Sequence, residues 1–366
     1  MSRLNKIHSM LLKLDGELLR TSAILDSLKY LNPLNAANER KIFFKYLKEN
    51  KEYNPRFEYR HLDFSPDSIL DRFKSFKLGR SPIEQLFSKC IDDIKDTLNL
   101  FSAIGTEKFP SVSERIYGKP DRKLMDRAHE ILSSNTPHEI DARSISPLDL
   151  KEMFVTHLAK RGLNWSVIVS KSMTAKVSVD TTKKRIVINA RERFSQDDAN
   201  RLVVHELGTH VLRSENGAQQ IFKIFQAGLP NSLTTEEGLA TFMEDKAGLL
   251  NNRTKRLYAG RVVGVSLSLE KSFYEVFDEL SRFFSVDYAY YITQRIKKGI
   301  VETVQPGAFT KDLVYLKGFF LVKDYIAAGG DLNILYTGNI GIEDVPLVKH
   351  LIEIGMLKPA RMLPDF

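Results

Sequence analysis

The chain lacks the features that mark several large classes of protein. Among its 366 residues there is a single cysteine, Cys90, so no disulfide can form within the chain and nothing indicates an oxidising compartment. No apolar run approaches the roughly 20 residues that a membrane-spanning helix needs. The first 20 residues hold no uninterrupted apolar core of the kind found in signal peptides. We therefore expect a cytoplasmic protein without a membrane partner.

The charge of the chain is only mildly one-sided. Its 54 basic and 46 acidic residues give a net charge of +8 at pH 7. There is no dense run of lysine and arginine of the kind that marks a nucleic-acid-binding arm, so we expect no nucleic acid partner. The mild basic excess favours acidic partners through long-range attraction. Hydrophobic residues make up 43% of the chain, which excludes a disordered protein.

The distribution of apolar residues predicts an α+β fold that is mostly helical. Residues 1–160 show helical periodicity broken by proline-rich loops, and we interpret them as an N-terminal helical lobe. Three short runs rich in β-branched residues, at 165–169, 175–179 and 185–189, predict a small antiparallel sheet. Helical patterns then return to the C-terminus. Helices, three strands and then a further helix follow one another in the order seen in many zinc peptidases, so we interpret residues 161–366 as a zinc metallopeptidase region that forms one continuous catalytic unit with the lobe.

The strongest functional signal is the segment His205-Glu-Leu-Gly-Thr-His210. We interpret it as an H-E-x-x-H motif, in which two histidines four positions apart lie on one face of an α-helix and bind one zinc ion. Glu206, next to the first histidine, is then expected to act as the general base toward the attacking water. Ser195 or Asp197 is expected to cap this helix, which we predict to continue through Leu212.

A catalytic zinc site takes three ligands from the protein, so a third ligand is needed. No further histidine follows His210 within the next few residues, which argues against a third histidine ligand close in sequence. Glu236 and Glu237 begin a helical pattern that Thr234 or Thr235 is expected to cap. Either carboxylate could complete a site of the gluzincin type. Because adjacent helical residues point about 100° apart, only one of them can face the metal.

Five ordered segments of the sequence together resemble the microtubule-associated tyrosine carboxypeptidase family, whose bacterial members are often labelled flavohemoglobin expression-modulating QEGLA-motif proteins. The resemblance extends over roughly residues 167–364. The segments are 205–213, with its two histidines; Gly228-Leu-Pro230; Glu236-Glu-Gly-Leu-Ala240; Ser272-Phe-Tyr-Glu-Val-Phe277; and Phe309-Thr-Lys-Asp-Leu-Val-Tyr-Leu316.

This resemblance implies a gluzincin-like zinc carboxypeptidase that removes a C-terminal aromatic residue, in animals the terminal tyrosine of α-tubulin. It implies that His205, His210 and Glu237 bind zinc, and that Glu206 is the catalytic base. The chain departs from the bacterial motif at Glu236, where that motif has glutamine, so two adjacent carboxylates precede the Gly-Leu-Ala sequence.

A carboxypeptidase must also bind the terminal carboxylate of its substrate, for which arginine and lysine are the best suited side chains. We expect the substrate to be the C-terminal tail of a protein or peptide, and the basic charge of the chain favours an acidic tail. The candidate substrate-binding residues each carry a basic or hydroxyl group, and Lys311 and Tyr315 are expected one turn apart on a predicted helix. The four candidates are Arg213, Arg261, Lys311 and Tyr315.

Two other interpretations stay open at this point. The same zinc core could serve an aminopeptidase or an endopeptidase, which would not require a free C-terminus on the substrate. The chain could also be a regulatory or binding protein in which the zinc site is not catalytic. The presence of Glu206 favours catalysis, because a purely structural zinc site has no use for a general base.

Overall fold

The computed structural model describes residues 3–25, 28–134, 143–171, 173 and 175–365. Within these residues the secondary structure is mostly helical, as the sequence predicts. The α-helices are α1 (Arg3–Leu25), α2 (Ala36–Lys48), α3 (Pro66–Asp71), α4 (Pro82–Ala103), α5 (Phe109–Tyr117), α6 (Arg122–Ser133), α7 (Pro147–Lys160), α8 (Gln196–Leu202), α9 (Leu212–Ala218), α10 (Ile224–Ala227), α11 (Ser232–Lys246), α12 (Asn252–Ser268), α13 (Phe273–Ser281), α14 (Val286–Ile296), α15 (Val314–Ala327) and α16 (Val345–Glu353).

Shorter elements complete the secondary structure. A π-helical stretch, here called the π segment, covers Val203–Val211 between α8 and α9. The strands are β1 (Ser166–Ser170), β2 (Val177–Asp180) and β3 (Arg185–Asn189), and the 3₁₀ helices are Leu28–Tyr30, Thr310–Leu313, Leu332–Tyr336 and Ile342–Asp344. No helix of the described ranges is long and apolar enough to cross a membrane.

The chain divides into two compact units. Unit 1 consists of Met1–Leu19, Thr136–Asn252 and Lys317–Phe366, and unit 2 consists of Arg20–Asn135 and Arg253–Leu316. Each unit therefore draws on sequence from both sides of residue 160. The assignment of residues 1–160 to a lobe and of residues 161–366 to a catalytic region stays a prediction about where the function lies.

The core of unit 2 is built around aromatic side chains. Phe43 on α2 is completely enclosed, and its ring centroid lies 4.8 Å from that of Phe277, 4.9 Å from that of Tyr290 and 5.4 Å from that of Phe273. These tilted and edge-on arrangements are the ones that aromatic rings prefer. They join α2 to α13 and α14 although the sequence separates these helices by more than two hundred residues.

The sheet of unit 1 has the strand order β1–β3–β2 and is mixed, so the prediction of a purely antiparallel sheet is wrong. β2 and β3 pair antiparallel, whereas β1 and β3 pair parallel. β3 occupies the centre because its two isoleucines, Ile186 and Ile188, are completely buried. The connection from β1 to β2 is six residues long, which suffices to cross the width of one intervening strand. β1 and β2 therefore follow one another in the sequence but are not hydrogen-bonded to each other in the sheet.

Directly after the sheet, one continuous helical rod runs from α8 through the π segment into α9. It begins as predicted, because the Ser195 hydroxyl accepts a hydrogen bond from the Asp198 backbone N–H at 3.1 Å and caps α8. The rod extends past the predicted end at Leu212 to Ala218. Of the nine residues in the π segment, all but His210 are buried, so this rod passes through the core of unit 1.

Helix α11 packs against α15 with almost no space between the two backbones. A Cβ atom added at Gly238 would lie 2.1 Å from the carbonyl carbon of Gly318, and one added at Gly318 would lie 2.0 Å from the carbonyl oxygen of Thr234. Neither position can therefore hold a larger residue without moving a helix. This contact fixes the position of α11 next to the two glutamates that precede Gly238 in the sequence.

Candidate metal centre

His205 and His210 are five positions apart, and the interpretation of this segment as an H-E-x-x-H motif on an α-helix is wrong by one residue. Five-residue spacing on an α-helix would turn the second side chain away from the first. Residues Val203–Val211 instead adopt the wider π-helical backbone, in which hydrogen bonds span five residues, and this brings both side chains to one face. The two imidazole rings consequently lie side by side, with their centroids 5.1 Å apart.

Hydrogen bonds within the rod and from a distant part of unit 1 stabilise the π segment. At its end, the Leu212 N–H donates to the carbonyl of Leu207 five positions earlier. In its middle, the hydroxyl of the buried Tyr336 donates to the carbonyl of Gly208 at 3.0 Å. Because π-helical geometry leaves backbone groups less well paired than an α-helix does, this side-chain donor stabilises the wider turn.

Glu237 on α11 faces both histidines. Its Oε2 atom lies 3.6 Å from Nε2 of His205 and 4.0 Å from Nε2 of His210. Ligand atoms of these three residues all lie within 4.8 Å of one another. In tetrahedral zinc sites with bonds of about 2 Å, ligand atoms are about 3.3 Å apart, so only small side-chain movements separate this arrangement from a bound state. The three residues form a candidate metal site.

The other nitrogen of each histidine is bound by a second carboxylate. Nδ1 of His205 lies 2.6 Å from Oε1 of Glu244, and Nδ1 of His210 lies 2.8 Å from Oε1 of Glu236. An ionised carboxylate can only accept, so each Nδ1 carries a proton, and each Nε2 is the nitrogen that is available to a metal once it has lost its own proton. This arrangement of carboxylate, histidine and metal is typical of metalloenzyme ligands.

The contact between Glu236 and His210 separates the roles of the two adjacent glutamates. Helix α11 begins at Ser232 with Asn231 as its cap residue, so the prediction of a cap at Thr234 or Thr235 is wrong and both glutamates lie beyond the first turn. Glu236 points to the Nδ1 side of His210, and Glu237 points to the Nε2 side. Of the two alternatives left open by the residues, the geometry favours Glu237 as the ligand.

Glu244 belongs to a buried charged chain that continues to α8. Besides His205, its Oε1 atom accepts a hydrogen bond from Arg201 at 2.9 Å. Arg201 in turn lies 3.6 Å from Asp198, whose side chain is almost fully buried. A buried carboxylate needs such partners, because burying an unpaired charge is costly. The chain of contacts holds the imidazole of His205 in one orientation.

The electrostatic environment of the site favours a positive charge at its centre. Burial alone would lower the pKa of His205, but its contact with Glu237 and its hydrogen bond to Glu244 raise it to about 10. Burial also opposes the charged form of His210, yet its contact with Glu236 and the nearby Glu237 raise its pKa. In the metal-free chain, bound protons therefore supply the positive charge that this group of carboxylates requires.

The residues present fit a zinc ion. Two neutral imidazoles and one carboxylate are the ligand set of a common class of catalytic zinc sites, and such sites keep a further position open for substrate or water. The two Nε2 atoms and the Glu237 oxygen converge, and the outer nitrogens already have their partners. Softer metals would favour thiolate ligands. The cysteine among the described residues, Cys90, belongs to unit 2, whereas the three candidate ligands belong to unit 1.

Glu206 is buried next to these ligands, with 7% of its surface exposed. Burial raises the pKa of its carboxyl group, and the positive charges of His205 and His210 oppose that increase. The position of Glu206 directly after His205 and its electrostatic interaction with all three candidate ligands suit a group that accepts and donates a proton at the site.

The structure gives Arg213 a different environment from the one predicted for a substrate-binding residue. Its side chain is completely buried in unit 1. Its Nε donates to the carbonyls of Leu335 and Gly338, at 2.9 and 3.1 Å, and one terminal nitrogen donates to that of Ile340 at 2.6 Å. These bonds tie α9 to the segment that carries Tyr336. No part of the guanidinium is accessible to a substrate carboxylate, so the proposed substrate site below does not include it.

The other three predicted substrate-binding residues, Arg261, Lys311 and Tyr315, lie together in unit 2. Arg261 on α12 lies over the ring of Tyr315, with 4.8 Å between the guanidinium carbon and the ring centroid. Lys311 and Tyr315 were expected on one helix. Instead, Lys311 lies in the 3₁₀ helix Thr310–Leu313, and Tyr315 lies in the first turn of α15.

Sequence reasoning missed several residues that the structure brings to the candidate site. Glu244 follows Glu237 by seven positions, which is two turns along the same face of α11, and that spacing is a signal that could have identified it. Arg201 likewise precedes His205 by four positions. Tyr336 lies far along the chain, and nothing in its local sequence points to the π segment.

Comparison with known proteins shows the family of the chain. The family described as microtubule-associated tyrosine carboxypeptidase matches residues 43–366. The chain belongs to this family. The resemblance inferred from the sequence is thereby confirmed, and it extends over more of the chain than the five segments that suggested it.

Individual relatives in the family are distant. Microtubule-associated tyrosine carboxypeptidase 1 of Mus musculus is 23% identical over 352 residues, which cover 92% of this chain and 64% of the relative. The protein of the same name from Homo sapiens is 24% identical over 350 residues, covering 92% of this chain and 63% of the relative. The chain thus spans a little under two thirds of the length of these relatives.

Proposed function

We propose that the chain is a zinc-dependent carboxypeptidase that removes a C-terminal tyrosine or similar aromatic residue from a protein or peptide. The observation that carries the proposal is the convergence of Nε2 of His205, Nε2 of His210 and Oε2 of Glu237 at one point, beside the buried Glu206. Membership of a family named for tyrosine carboxypeptidases supports the choice of reaction.

In this proposal His205, His210 and Glu237 hold the zinc ion, which supplies a Lewis acid that polarises the scissile carbonyl and makes water acidic enough to react near neutral pH. Glu206 accepts one proton from the water as its oxygen attacks the carbonyl carbon. When the bond between that carbon and the amide nitrogen breaks, Glu206 delivers the proton to the nitrogen of the departing amino acid. The products are a shortened peptide and free tyrosine.

Glu236 and Glu244 act in this proposal as positioning residues. By accepting hydrogen bonds from Nδ1 of the two histidines, they keep both rings in the tautomer and orientation that metal binding requires. Their charge also lowers the cost of placing a divalent cation in a buried site. Neither residue needs to contact the substrate.

For the substrate class we propose an acidic protein tail that ends in tyrosine. The relatives are named as microtubule-associated, and the net charge of +8 on this chain favours acidic partners. The basic and aromatic residues Arg261, Lys311 and Tyr315 are the proposed substrate-binding groups. Association with microtubules is a property in the names of the relatives, and for this chain it is a part of the proposal.

The test is cleavage of matched peptides, followed by mass spectrometry. Peptides ending in Glu-Glu-Tyr, one with a free C-terminus and one amidated, are incubated with the purified chain in the presence and absence of a chelator. We expect loss of one tyrosine from the free-acid peptide alone, and no loss once the metal is removed. The Glu206→Gln variant should retain zinc and release no tyrosine.

The controls separate the alternative functions. Cleavage of the amidated peptide at an internal bond, or removal of residues from its N-terminus, would contradict a carboxypeptidase and indicate an endopeptidase or aminopeptidase. Full activity of Glu206→Gln would contradict the role of this residue as the general base. A zinc-loaded chain that cleaves no peptide of a library with varied C-termini would contradict catalysis and favour a binding protein.

A further inference from the structure

The C-terminal segment, residues 358–365, is held in place by side chains of unit 1 although it contains no helix or strand. The amide of Asn216 on α9 donates to the carbonyl of Met362 at 2.7 Å and accepts from the N–H groups of Arg361 and Met362 at 3.1 and 3.0 Å. Because these bonds reach only backbone atoms of the segment, they depend on the path of its backbone and not on its side chains.

A second amide makes the same kind of contact just beyond the end of α9. Gln220 accepts from the N–H of Lys358 at 2.9 Å and donates to the carbonyls of Lys358 and Thr337, at 3.0 and 3.1 Å. Asn216 and Gln220 are each only 2% exposed. A buried amide that lost its partners would be unfavourable, so the two residues hold the segment against α9.

The face of α9 that carries Asn216 is fixed at two further points. Arg213 donates to three carbonyls of residues 335–340. Gly217 lies so close to α10 that an added Cβ atom would be 2.2 Å from the carbonyl oxygen of Phe225. Positions 213, 216 and 217 are three and four residues apart, so they share one face of the helix. Any other rotation of α9 about its axis would break these contacts together.

The rotation of α9 is coupled to the position of the two candidate histidine ligands. The rod is continuous, so the rotation of α9 follows from the winding of the π segment that carries His205 and His210. On an α-helix, residues five positions apart would point about 140° away from each other. A change from π to α winding would also turn α9 by about 100° for each residue that leaves the wider turn.

The α winding is the conformation with which the π segment must compete, because π-helices are rare and short in proteins whereas α-helices are common. A contact shifts such an equilibrium only if it differs between the two conformations. The contacts of α9 differ in this way, since Asn216 and Gln220 meet the backbone of the C-terminal segment in the rotation that the π winding produces.

We propose that the C-terminal segment is a conformational anchor, which holds α9 in the rotation that the π winding requires and thereby keeps His205 and His210 in position to bind a metal. The anchor acts through the backbone and touches neither the candidate ligands nor the carboxylates beside them. Its release should favour α winding and separate the two histidines. The inference concerns the winding of the rod, and it rests on the proposed function only in taking the metal to be zinc.

The test variant is Asn216→Ala in the full-length chain, which keeps the helix and removes three hydrogen bonds to the segment. The matched control is Asn189→Ala. Asn189 is also buried, at 4% exposure, and lies on β3 instead of on the rod. Its amide likewise makes three bonds to backbone groups, donating to the carbonyls of Met173 and Ala175 and accepting from the N–H of Arg191.

Two quantities are measured in each variant. Competition with a chromophoric chelator gives zinc affinity, and hydrogen exchange of the metal-free chain is followed at Leu212, whose N–H closes the π winding. We expect Asn216→Ala to weaken zinc binding about tenfold and to speed exchange at Leu212, because apparent affinity falls with the fraction of molecules in the competent conformation. Asn189→Ala should change neither in the folded chain. Gln220→Ala, which removes the other amide, should behave like Asn216→Ala.

Deletion of Gly208 tests the role of the winding itself. It shortens the motif to His-Glu-Leu-Thr-His, whose four-residue spacing places both histidines on one face of an ordinary α-helix. One residue fewer in α winding covers the turn that the π winding now makes, so α9 keeps its rotation. The shortened chain should still bind zinc, and adding Asn216→Ala to it should cost less than about twofold in affinity.

The proposal is overturned if Asn216→Ala and Gln220→Ala leave both zinc affinity and exchange at Leu212 unchanged. It is also overturned if Asn216→Ala costs as much zinc affinity without Gly208 as with it, because the effect would then not pass through the winding. Faster exchange at Leu212 in a variant of a chain that binds no zinc would keep the anchor and contradict the proposed function. Zinc-dependent release of tyrosine by the parent, with unchanged zinc affinity in Asn216→Ala, would do the reverse.

Discussion

Glu236 and His210 form a hydrogen bond of 2.8 Å through Nδ1 of the imidazole, while the adjacent Glu237 approaches the opposite nitrogen of the same ring. Two neighbouring glutamates thus act on one histidine from its two sides. The arrangement needs only an acceptor oxygen at position 236, and glutamine has one. Glutamine at position 236 would therefore supply the same acceptor to Nδ1 of His210 without the charge.

Substitutions at Glu236 test this assignment. Glu236→Gln keeps an acceptor for Nδ1 of His210, so we expect zinc affinity to fall by less than about tenfold. Glu236→Ala removes the acceptor and should lower zinc affinity about 10–100-fold, as is common for outer partners of metal ligands. Competition with a chromophoric chelator measures both. Equal losses in the two variants would show that the charge, and not the hydrogen bond, is what matters.

The hydrogen bond from Tyr336 to Gly208 should stabilise the π segment. Tyr336→Phe leaves the ring and removes the donor, so the free energy of unfolding should fall by about 1 kcal/mol. Zinc affinity should fall as well, because the spacing of the two histidines depends on the wider turn. Tyr325→Phe is the matched control, since its hydroxyl donates to a carbonyl of Asp331 at an exposed position. Urea denaturation should show no comparable loss there.

For Arg213, the structure predicts an effect on stability and not on substrate binding. Arg213→Met should lower the free energy of unfolding by about 3 kcal/mol or more, because three buried carbonyl contacts lose a charged donor. The folded fraction should bind the free-acid peptide with unchanged affinity. A folded Arg213→Met chain that loses selectivity for the free-acid peptide over the amide would restore the predicted role of Arg213 in carboxylate recognition.

The pH dependence of stability should reveal Lys297, which is completely buried in unit 2 and donates to the carbonyls of Lys271 and Gln305. Burial lowers its pKa from 10.5 to about 7. Below pH 7 both the folded and the unfolded chain hold the proton, and the folded chain bears the full cost of a buried charge. Between pH 7 and 10.5 only the unfolded chain holds it, so the contribution of Lys297 to stability rises with pH.

Comparison with Lys297→Met isolates this contribution. The free energy of unfolding of the parent minus that of the variant should increase from pH 7 to pH 9, as measured by urea denaturation at each pH. Both proteins share every other titrating group, so a difference that does not vary with pH would contradict the lowered pKa of Lys297.

Much of the architecture around the site could be predicted from local patterns. Residues close together in the sequence predict the Ser195 cap and the positions of the three strands. They also predict that Glu206 lies among buried residues. The family is confirmed, and Glu237 as the third ligand stays a prediction that the geometry favours. The Ser195 cap and the positions of the strands share one property, which is that each depends on residues within or next to one element.

The misses depend on contacts between distant segments. The parallel pairing of β1 with β3 arises from packing of the sheet and not from strand sequence. The five-residue spacing of His205 and His210 suits a metal only on a π helix, and the stabilising Tyr336 lies more than a hundred residues away. Arg213 could not be recognised as a structural residue, because the carbonyls that it binds belong to a segment with no distinctive pattern.

The measurement that tests the central claim most directly is zinc titration of the metal-free chain, with release of tyrosine from the free-acid and the amidated peptide as the signal. The account predicts that activity on the free-acid peptide rises until one zinc ion is bound per chain. The amidated peptide should stay intact. The Glu237→Ala variant should show no activity at the same zinc concentrations. Activity that is independent of zinc, or equal cleavage of both peptides, would contradict it.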